Sequence, residues 1–321
     1  MTNARPALIA DIGGTNARFA LVGADGETIR TRVLACADYP GLAAAAKVYL
    51  DLERPNPAPD RAAIAVASPV AGDRVSMTNR NWSFSISELR ATLGLNQIFV
   101  VNDFTAQALA VPRLGASDTH QIGGGTAIVG APIAILGPGT GLGVSALVKA
   151  PGGNRIALAT EGGHATLAPA NQRERSVVAA LEARFGHVSI ERAVSGPGLA
   201  NLALAISDVD GLERAELEPD EITARALSGR DPVAVEALTM FCAMLGGAAG
   251  NLALTLGAHG GVYIGGGIVG RLGSFLEASP FRARFEDKGR FRDYLSPIPT
   301  HVIAAETPGF HGLAALLEQK V

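Results

Sequence analysis

Residues 7–22 read ALIADIGGTNARFALV: an apolar run ending in Asp11-Ile12, the turn Gly13-Gly14-Thr15-Asn16, and a second apolar run. Two short apolar runs around such a turn predict an antiparallel hairpin, and Asp25-Gly26 with the following run TIRTRVL extends it into a meander. Glycine tolerates positive φ and carries no Cβ, so the turn can aim successive backbone N–H groups at an anion. The theme returns further along, where PIAILG, the turn Gly137-Pro-Gly-Thr-Gly-Leu-Gly143 and the strand LGVSALV follow one another. One glycine hairpin is ordinary. Two, facing each other, would clamp a polyphosphate, and Asp11 beside phosphates is repelled unless a divalent cation intervenes. Asp11 therefore implies Mg²⁺, held through water.

Outward from the first hairpin, helical pattern is expected at 41–54, a strand at 62–67 and an amphipathic helix near 85–94 with serine at its start. IFVVNDF reads as a strand ending in polar residues, TAQALAV as a short helix and His120 to Gly125 as a loop. Helices dominate 171–257, GGVYIGG is a strand, and the chain closes with a strand near 299–304 and a helix at 309–319. Alternating strands and helices place the chain in the α/β class, as two halves of similar design packed around a cleft.

Composition narrows the function. Of 321 residues, 48% are hydrophobic and 18% charged, enough apolar surface for a core and too much for disorder. The 27 Lys and Arg nearly balance 30 Asp and Glu, a formal charge of -3 that argues against nucleic-acid binding. Cys36 and Cys242 allow neither a disulfide framework nor a multi-thiolate zinc site, so a reducing compartment, the cytoplasm, is expected. The apolar run before Asp11 is too short for a signal peptide. Residues 237–270 lack Asp, Glu, Lys and Arg, and Gly246 and Gly250 form a small-xxx-small pair, yet Asn251 and Gly246-Gly247 interrupt the run. A helix buried on all sides explains it better than a membrane span.

Rival nucleotide motifs fail. G-x-x-x-x-G-K-[ST] does not occur, and the G-x-G-x-x-G formed by Gly265, Gly267 and Gly270 is followed by a charged, aromatic segment where a βαβ unit should stand. The glycines Gly265 and Gly266 suit a flat surface against adenine or ribose equally well. Asn102-Asp103 falls where a hydrophobic strand gives way to a helix, the lip of a cleft in open α/β sheets. With Glu161, His164 and Glu191 it makes a mixed set of donors and acceptors without Lys or Arg. Sugar hydroxyls need both roles, and the carboxylates disfavour an anionic acceptor, so the set suits a neutral polyol. Each residue also has a plainer reading: Asp103 as the N-cap of TAQALAV, Glu191 in a surface pair with Arg192, His164 as a satisfied loop histidine.

Taken together, ADIGGTNARFAL, MTNRNWSFSI, VNDFTAQA, LGPGTGLGVSAL, EGGHATLAP, ERAVSGPGLANL and GGVYIGGGIVGR resemble the bacterial glucokinases of the hexokinase, actin and heat-shock-chaperone ATPase superfamily, from about residue 7 to the C-terminus. ATLAPANQ has no cysteines, which fits the zinc-free branch. The resemblance implies a two-domain actin-like (ribonuclease H-like) fold with an interdomain cleft: a small α/β domain over 1–110, onto which a C-terminal helix at about 305–321 packs back, and a large α/β domain over 111–304. It implies ATP and Mg²⁺ at Ala10, Asp11, Ile12, Gly13, Gly14, Thr15 and Asn16, at Gly139, Thr140 and Gly141, and at Gly265 and Gly266. It makes Asp103 the general base and gives the glucose hydroxyls to Asn102, Asp103, Glu161, His164 and Glu191.

The reaction so inferred is transfer of the γ-phosphoryl of MgATP to the 6-hydroxyl of glucose, the first step of glycolysis, in a cytoplasmic homodimer. Domain closure would exclude water, with Trp82-Ser83-Phe84 as a moving edge. Two rival functions are a sugar-responsive regulator, which needs a DNA-binding module, and a conformational ATPase, which has no use for the polyol set. Selectivity among hexoses rests on loop placement that the sequence does not fix.

Overall fold

The computed structural model describes residues 5–78, 80–213 and 215–319. In chain order the regular elements begin with β1 (Ala7–Ile12), β2 (Asn16–Val22), β3 (Thr28–Ala35), α1 (Leu42–Glu53), β4 (Arg61–Val66), β5 (Arg74–Ser76), β6 (Ser83–Ser85), α2 (Ile86–Thr92), β7 (Gln97–Asn102) and α3 (Asp103–Ala110). They continue with β8 (Thr119–Ile122), β9 (Ile133–Pro138), β10 (Leu142–Lys149), β11 (Arg155–Thr160), α4 (Gln172–Phe185), α5 (Gly196–Asp210), α6 (Pro219–Leu227) and α7 (Pro232–Leu256). The last are β12 (Val262–Ile264), α8 (Ser274–Ala278), α9 (Phe281–Glu286), α10 (Arg292–Leu295), β13 (Thr300–Ile303) and α11 (Pro308–Glu318). The chain forms two compact units: one reaches to Gly115 and includes Ala150–Ala159 and the residues from Ala305 on, the other takes Ala116–Lys149 and Thr160–Ala304.

The first unit is built on a mixed sheet in the order β3-β2-β1-β4-β7, with β1, β2 and β3 antiparallel and β1, β4 and β7 parallel. Side chains alternate across a strand, so β1 feeds two cores. Leu8, Ala10 and Ile12 pack with Leu42, Ala45 and Tyr49 of α1 and Leu89 of α2 on one face. Ala7 and Ile9 pack with Ala106 of α3 and with Phe310, Leu313, Ala314 and Leu317 of α11 on the other. Asp11 keeps the parity of Ala7 and Ile9 and stands on the α3–α11 face. A Cβ on Gly312 would collide with the carbonyl of Ala106, so α11 can cross α3 this closely only with glycine there.

In the second unit the sheet runs β10-β9-β12-β13-β8, with β9, β12 and β13 parallel and β10 and β8 antiparallel to their neighbours. Its core joins Ala134, Leu136, Val144, Val262, Ile264 and Val302 to the helices, above all to α7. Among the described residues α7 alone is long and apolar enough to cross a membrane, but most of it is buried inside the protein. Gly246 and Gly250 bring it against the backbone of Phe281 and Phe285 in α9. The pair thus serves packing within the core.

Two local expectations are corrected. Residues 120–122 of the expected loop at His120 to Gly125 belong to β8, because β13 offers an antiparallel partner and Thr300 Oγ1 donates to the Ile122 carbonyl at 2.5 Å. Asp103 is not the cap of α3: Asn102 is, its Oδ1 accepting from the N–H groups of Phe104 at 2.9 Å and Thr105 at 3.4 Å. The reason is register, since Asn102 still pairs with Val66 as the last residue of β7. Capping of this kind contributes about 1 kcal/mol.

Candidate active site

In the first unit, strand register brings the catalytic candidates to one edge. Ile12, Val66 and Asn102 lie in one row across the parallel strands β1, β4 and β7, so Asp11 and Asp103 share the carboxyl end of the sheet, the usual ligand edge of such sheets. Asp103 opens α3, and its Oδ1 accepts from the Phe104 N–H at 3.0 Å. Asn102 also donates from Nδ2 to the Ser68 carbonyl at 3.4 Å. Burial, reinforced by the charge of Asp11, pushes the Asp103 carboxyl up to about 6, although the Phe104 N–H and the Asn102 side chain pull it back. A carboxylate so poised accepts protons near neutral pH. Burial raises the Asp11 carboxyl as well, and Arg18, opposite it in the hairpin with Nη1 3.7 Å from Oδ2, opposes that rise.

The first glycine turn is tied down through its carbonyls. Gly13 N–H closes it on the Asn16 carbonyl at 3.0 Å, Cys36 N–H takes the Thr15 carbonyl at 2.8 Å and Arg80 Nη1 takes the Gly14 carbonyl at 2.9 Å. Cys36 Sγ lies 3.7 Å from the Gly13 carbonyl. The N–H groups of Gly14 and Thr15 have no acceptor among the described residues. Consecutive uncommitted N–H groups form an anion-binding concavity. Gly13 has no positive φ, contrary to expectation, and a Cβ there would make only an ordinary contact, 3.5 Å from the Asn16 carbonyl.

The second unit gathers the remaining candidates around its own glycine turn. Gly139 N–H bonds the Gly141 carbonyl at 2.8 Å, Gly196 N–H takes the Gly139 carbonyl at 2.8 Å, and Thr140 and Gly141 have N–H groups without an acceptor among the described residues. Gly139 and Gly141 also lack positive φ. A Cβ on Gly139 would meet nothing within 4 Å, whereas one on Gly141 would lie 2.5 Å from Glu191 Oε2. Glu191 Oε2 accepts from the Leu142 N–H at 2.8 Å. The surface pair of Glu191 with Arg192 does not form; the Arg192 guanidinium lies over the Phe185 ring instead, 4.3 Å from its centroid.

Glu161 leads into a tight turn, Gly162–His164, closed by the His164 N–H on the Glu161 carbonyl at 3.0 Å. Gly162 and Gly163 lie flat on β10, where side chains would collide with Val144 and with the Leu142 carbonyl. Glu161 and His164 are exposed at the ends of this turn. The Ile190 N–H donates to the Ala165 carbonyl at 2.9 Å, linking the His164 and Glu191 segments. Gly266, at φ 91°, backs onto the Pro138 carbonyl, and the Gly265 N–H bonds the Leu136 carbonyl at 2.9 Å. Glu161, His164, Glu191, the turn at Gly139–Gly141 and Gly265-Gly266 thus surround one end of β9 and β10.

Sequence reasoning passed over Arg80, Cys36, Ser68 and Ser195. Each supports a candidate through a backbone carbonyl, the first three from far along the chain and Ser195 from four residues away, its Oγ donating to the Glu191 carbonyl at 2.8 Å. Only Ser195 carried a local sign, a serine before Gly-Pro that caps α5. Among the described residues no group of three or more His, Cys, Asp or Glu could hold a metal ion.

Comparison with known proteins accords with this arrangement. The glucokinase family model matches residues 8–320. The glucokinase of Aromatoleum aromaticum is 55% identical, covering 98% of this chain and 95% of its own length. That of Paramagnetospirillum magneticum is 52% identical over 97% of each. The crystal structure of a glucokinase from an Antarctic psychrotroph superposes with a TM-score of 0.90 at 37% identity, covering 99% of this chain and all of that one. A family match over nearly the whole chain, at this identity and with this agreement of fold, leaves one conclusion: the chain belongs to the glucokinase family.

Proposed function

We propose that the chain is a glucokinase, transferring the γ-phosphoryl group of ATP to the 6-hydroxyl of D-glucose in the first step of glycolysis. The observation that carries this reading is the edge of the first unit, where a carboxyl group poised near 6 stands beside a turn with two uncommitted N–H groups. A proton acceptor for the sugar hydroxyl and a phosphate cradle are what sugar phosphorylation requires together.

In this reading Asp103 holds the 6-hydroxyl by a hydrogen bond and takes its proton as the oxygen attacks phosphorus. Asn102, fixed by its bonds to α3 and Ser68, orients a neighbouring hydroxyl, and Glu161, His164 and Glu191 hold the others. The N–H groups at Gly14-Thr15 and Thr140-Gly141 bind phosphoryl oxygens, within turns that take in Ala10–Asn16 and Gly139–Gly141, while Gly265 and Gly266 give a flat wall to adenosine. We read the two units as the small and large domains, 1–110 with the C-terminal helix and 111–304, of an actin-like (ribonuclease H-like) fold whose cleft closes on glucose and excludes water.

Mg²⁺ fits Asp11. It keeps most of its waters and asks for one or two carboxylates beside the phosphates, and a half-buried carboxylate next to a phosphate turn offers that. When bound, it would neutralise charge on the phosphoryl oxygens. The enzyme is read as a cytoplasmic homodimer that binds neither nucleic acid nor membrane. A coupled assay tests the core of the reading: ATP consumption that requires glucose and yields glucose 6-phosphate supports it, and consumption without sugar makes the chain an ATPase.

A further inference from the structure

We infer that Arg80 is a phosphate-positioning residue, which fixes the first glycine turn through the Gly14 carbonyl and sets a positive charge where the ATP phosphates bind; this rests on the glucokinase reading. Three observations carry it. Arg80 Nη1 donates to the Gly14 carbonyl at 2.9 Å, turning that peptide so that its oxygen faces the guanidinium. The guanidinium lies 5.4 Å from the centroid of the Trp82 ring, and Trp82, 5% exposed, is itself held by its Nε1 bond to the Tyr39 carbonyl at 3.3 Å. Among the described residues no carboxylate pairs with Arg80, although most arginines near acidic groups here are paired.

An arginine carries five N–H donors, and one suffices for Gly14. The rest of the turn lacks a cation. Arg18 faces Asp11 across the hairpin, and the turn contains no lysine. Without Arg80 a triphosphate at this edge would meet two N–H groups and the carboxylates of Asp11 and Asp103. With it the local charge is offset, and the stacked ring keeps the long side chain from costing its full rotamer entropy on binding. The charge reaches the turn in a second way: burial pushes up the Cys36 thiol, which lies 3.7 Å from the Gly13 carbonyl, and the charge of Arg80 opposes that shift.

The test compares Arg80→Gln with Arg80→Lys in the full chain. In Arg80→Gln the KM for ATP should rise at least about tenfold while that for glucose stays within about threefold, and calorimetric affinity for ATP should fall while that for adenosine holds. Arg80→Lys keeps the charge and a donor and should recover part of the loss. An unchanged KM for ATP in Arg80→Gln, a lysine variant no better than glutamine, or adenosine affinity lost in step with ATP would each overturn the inference. Wild-type protein that binds ATP yet turns over no glucose would fail the glucokinase reading alone, since the ATP calorimetry of the variants still decides on Arg80.

Discussion

Behind the turn at Gly13–Thr15 stands a cation, Arg80, and behind the turn at Gly139–Gly141 stands a carboxylate, Glu191. Both turns leave two consecutive N–H groups uncommitted and both have carbonyls held by donors, Gly139 by the Gly196 N–H in the second, but the side chains behind them carry opposite charge. In the first, donors from elsewhere in the unit seize the carbonyls of Gly13, Gly14 and Thr15, so the peptides point their hydrogens the other way. In the second, an acceptor takes the Leu142 N–H next to the free pair and lies so close to Gly141 that a Cβ there would push it aside. The difference teaches that an anion-binding backbone needs anchorage, and that the sign of the anchor decides what else it can do. A cation behind the peptides still attracts phosphates through its charge. A carboxylate repels them, and in the proposed reading Glu191 instead faces the neutral sugar, which would link the sugar set to a phosphate turn through one residue.

Breaking the first unit's chemistry should give the largest effect. Asp103→Asn removes the proton acceptor while keeping its shape, and kcat should fall by at least about 10²-fold with only a modest change in glucose affinity by calorimetry. Turnover near wild type would remove Asp103 from the role. The comparison itself sharpens with Glu191→Gln. If Glu191 serves both its turn and the sugar, the KM for glucose should rise about tenfold and that for ATP by a smaller factor, whereas Arg80→Gln should move ATP alone. Glu161→Gln, in the turn that does not bond Leu142, should weaken glucose binding and leave ATP unmoved.

The pH profile gives a smaller effect. The Asp103 carboxyl is poised at about 6, so its proton-accepting form dominates above that value and disappears below it. The acidic limb of kcat/KM should therefore fall off near pH 6, well above an ordinary carboxylate of about 4. A limb near 4 would show that Asp103 is not the group that titrates. Stability should respond to Gly312→Ala, whose Cβ would strike the Ala106 carbonyl. Overpacking there should cost about 1–3 kcal/mol, read as a fall in Tm, without a change in the ratio of the two KM values.

How much of this was legible in the sequence depended on distance along the chain. The glycine hairpins were readable because a turn and its flanking strands are neighbours, and β1, β2, β9 and β10 pair as expected. The polar set was readable as chemistry but not as geometry. That Glu191 bonds Leu142, 49 residues away, or that Arg80 reaches Gly14 across 66, has no local signal. Short strands such as β5, β6 and β8 carry too few residues for a period to show, and they form because a partner edge offers hydrogen bonds. The capping of α3 fell between adjacent residues, and only the pairing of Asn102 with Val66 decides where β7 stops.

The seat of α3 has a consequence for biosynthesis. The helix that presents Asp103 is covered by α11, the last described element, so its packing joins residues made early in translation to residues made late. A nascent chain that has already exposed Asp103 still lacks Phe310, Leu313 and Leu317 to cover Ala106. The Asp103 carboxyl thus gains its full cover only once α11 has been made, and nascent chains that stop short of α11 should be incompetent for turnover.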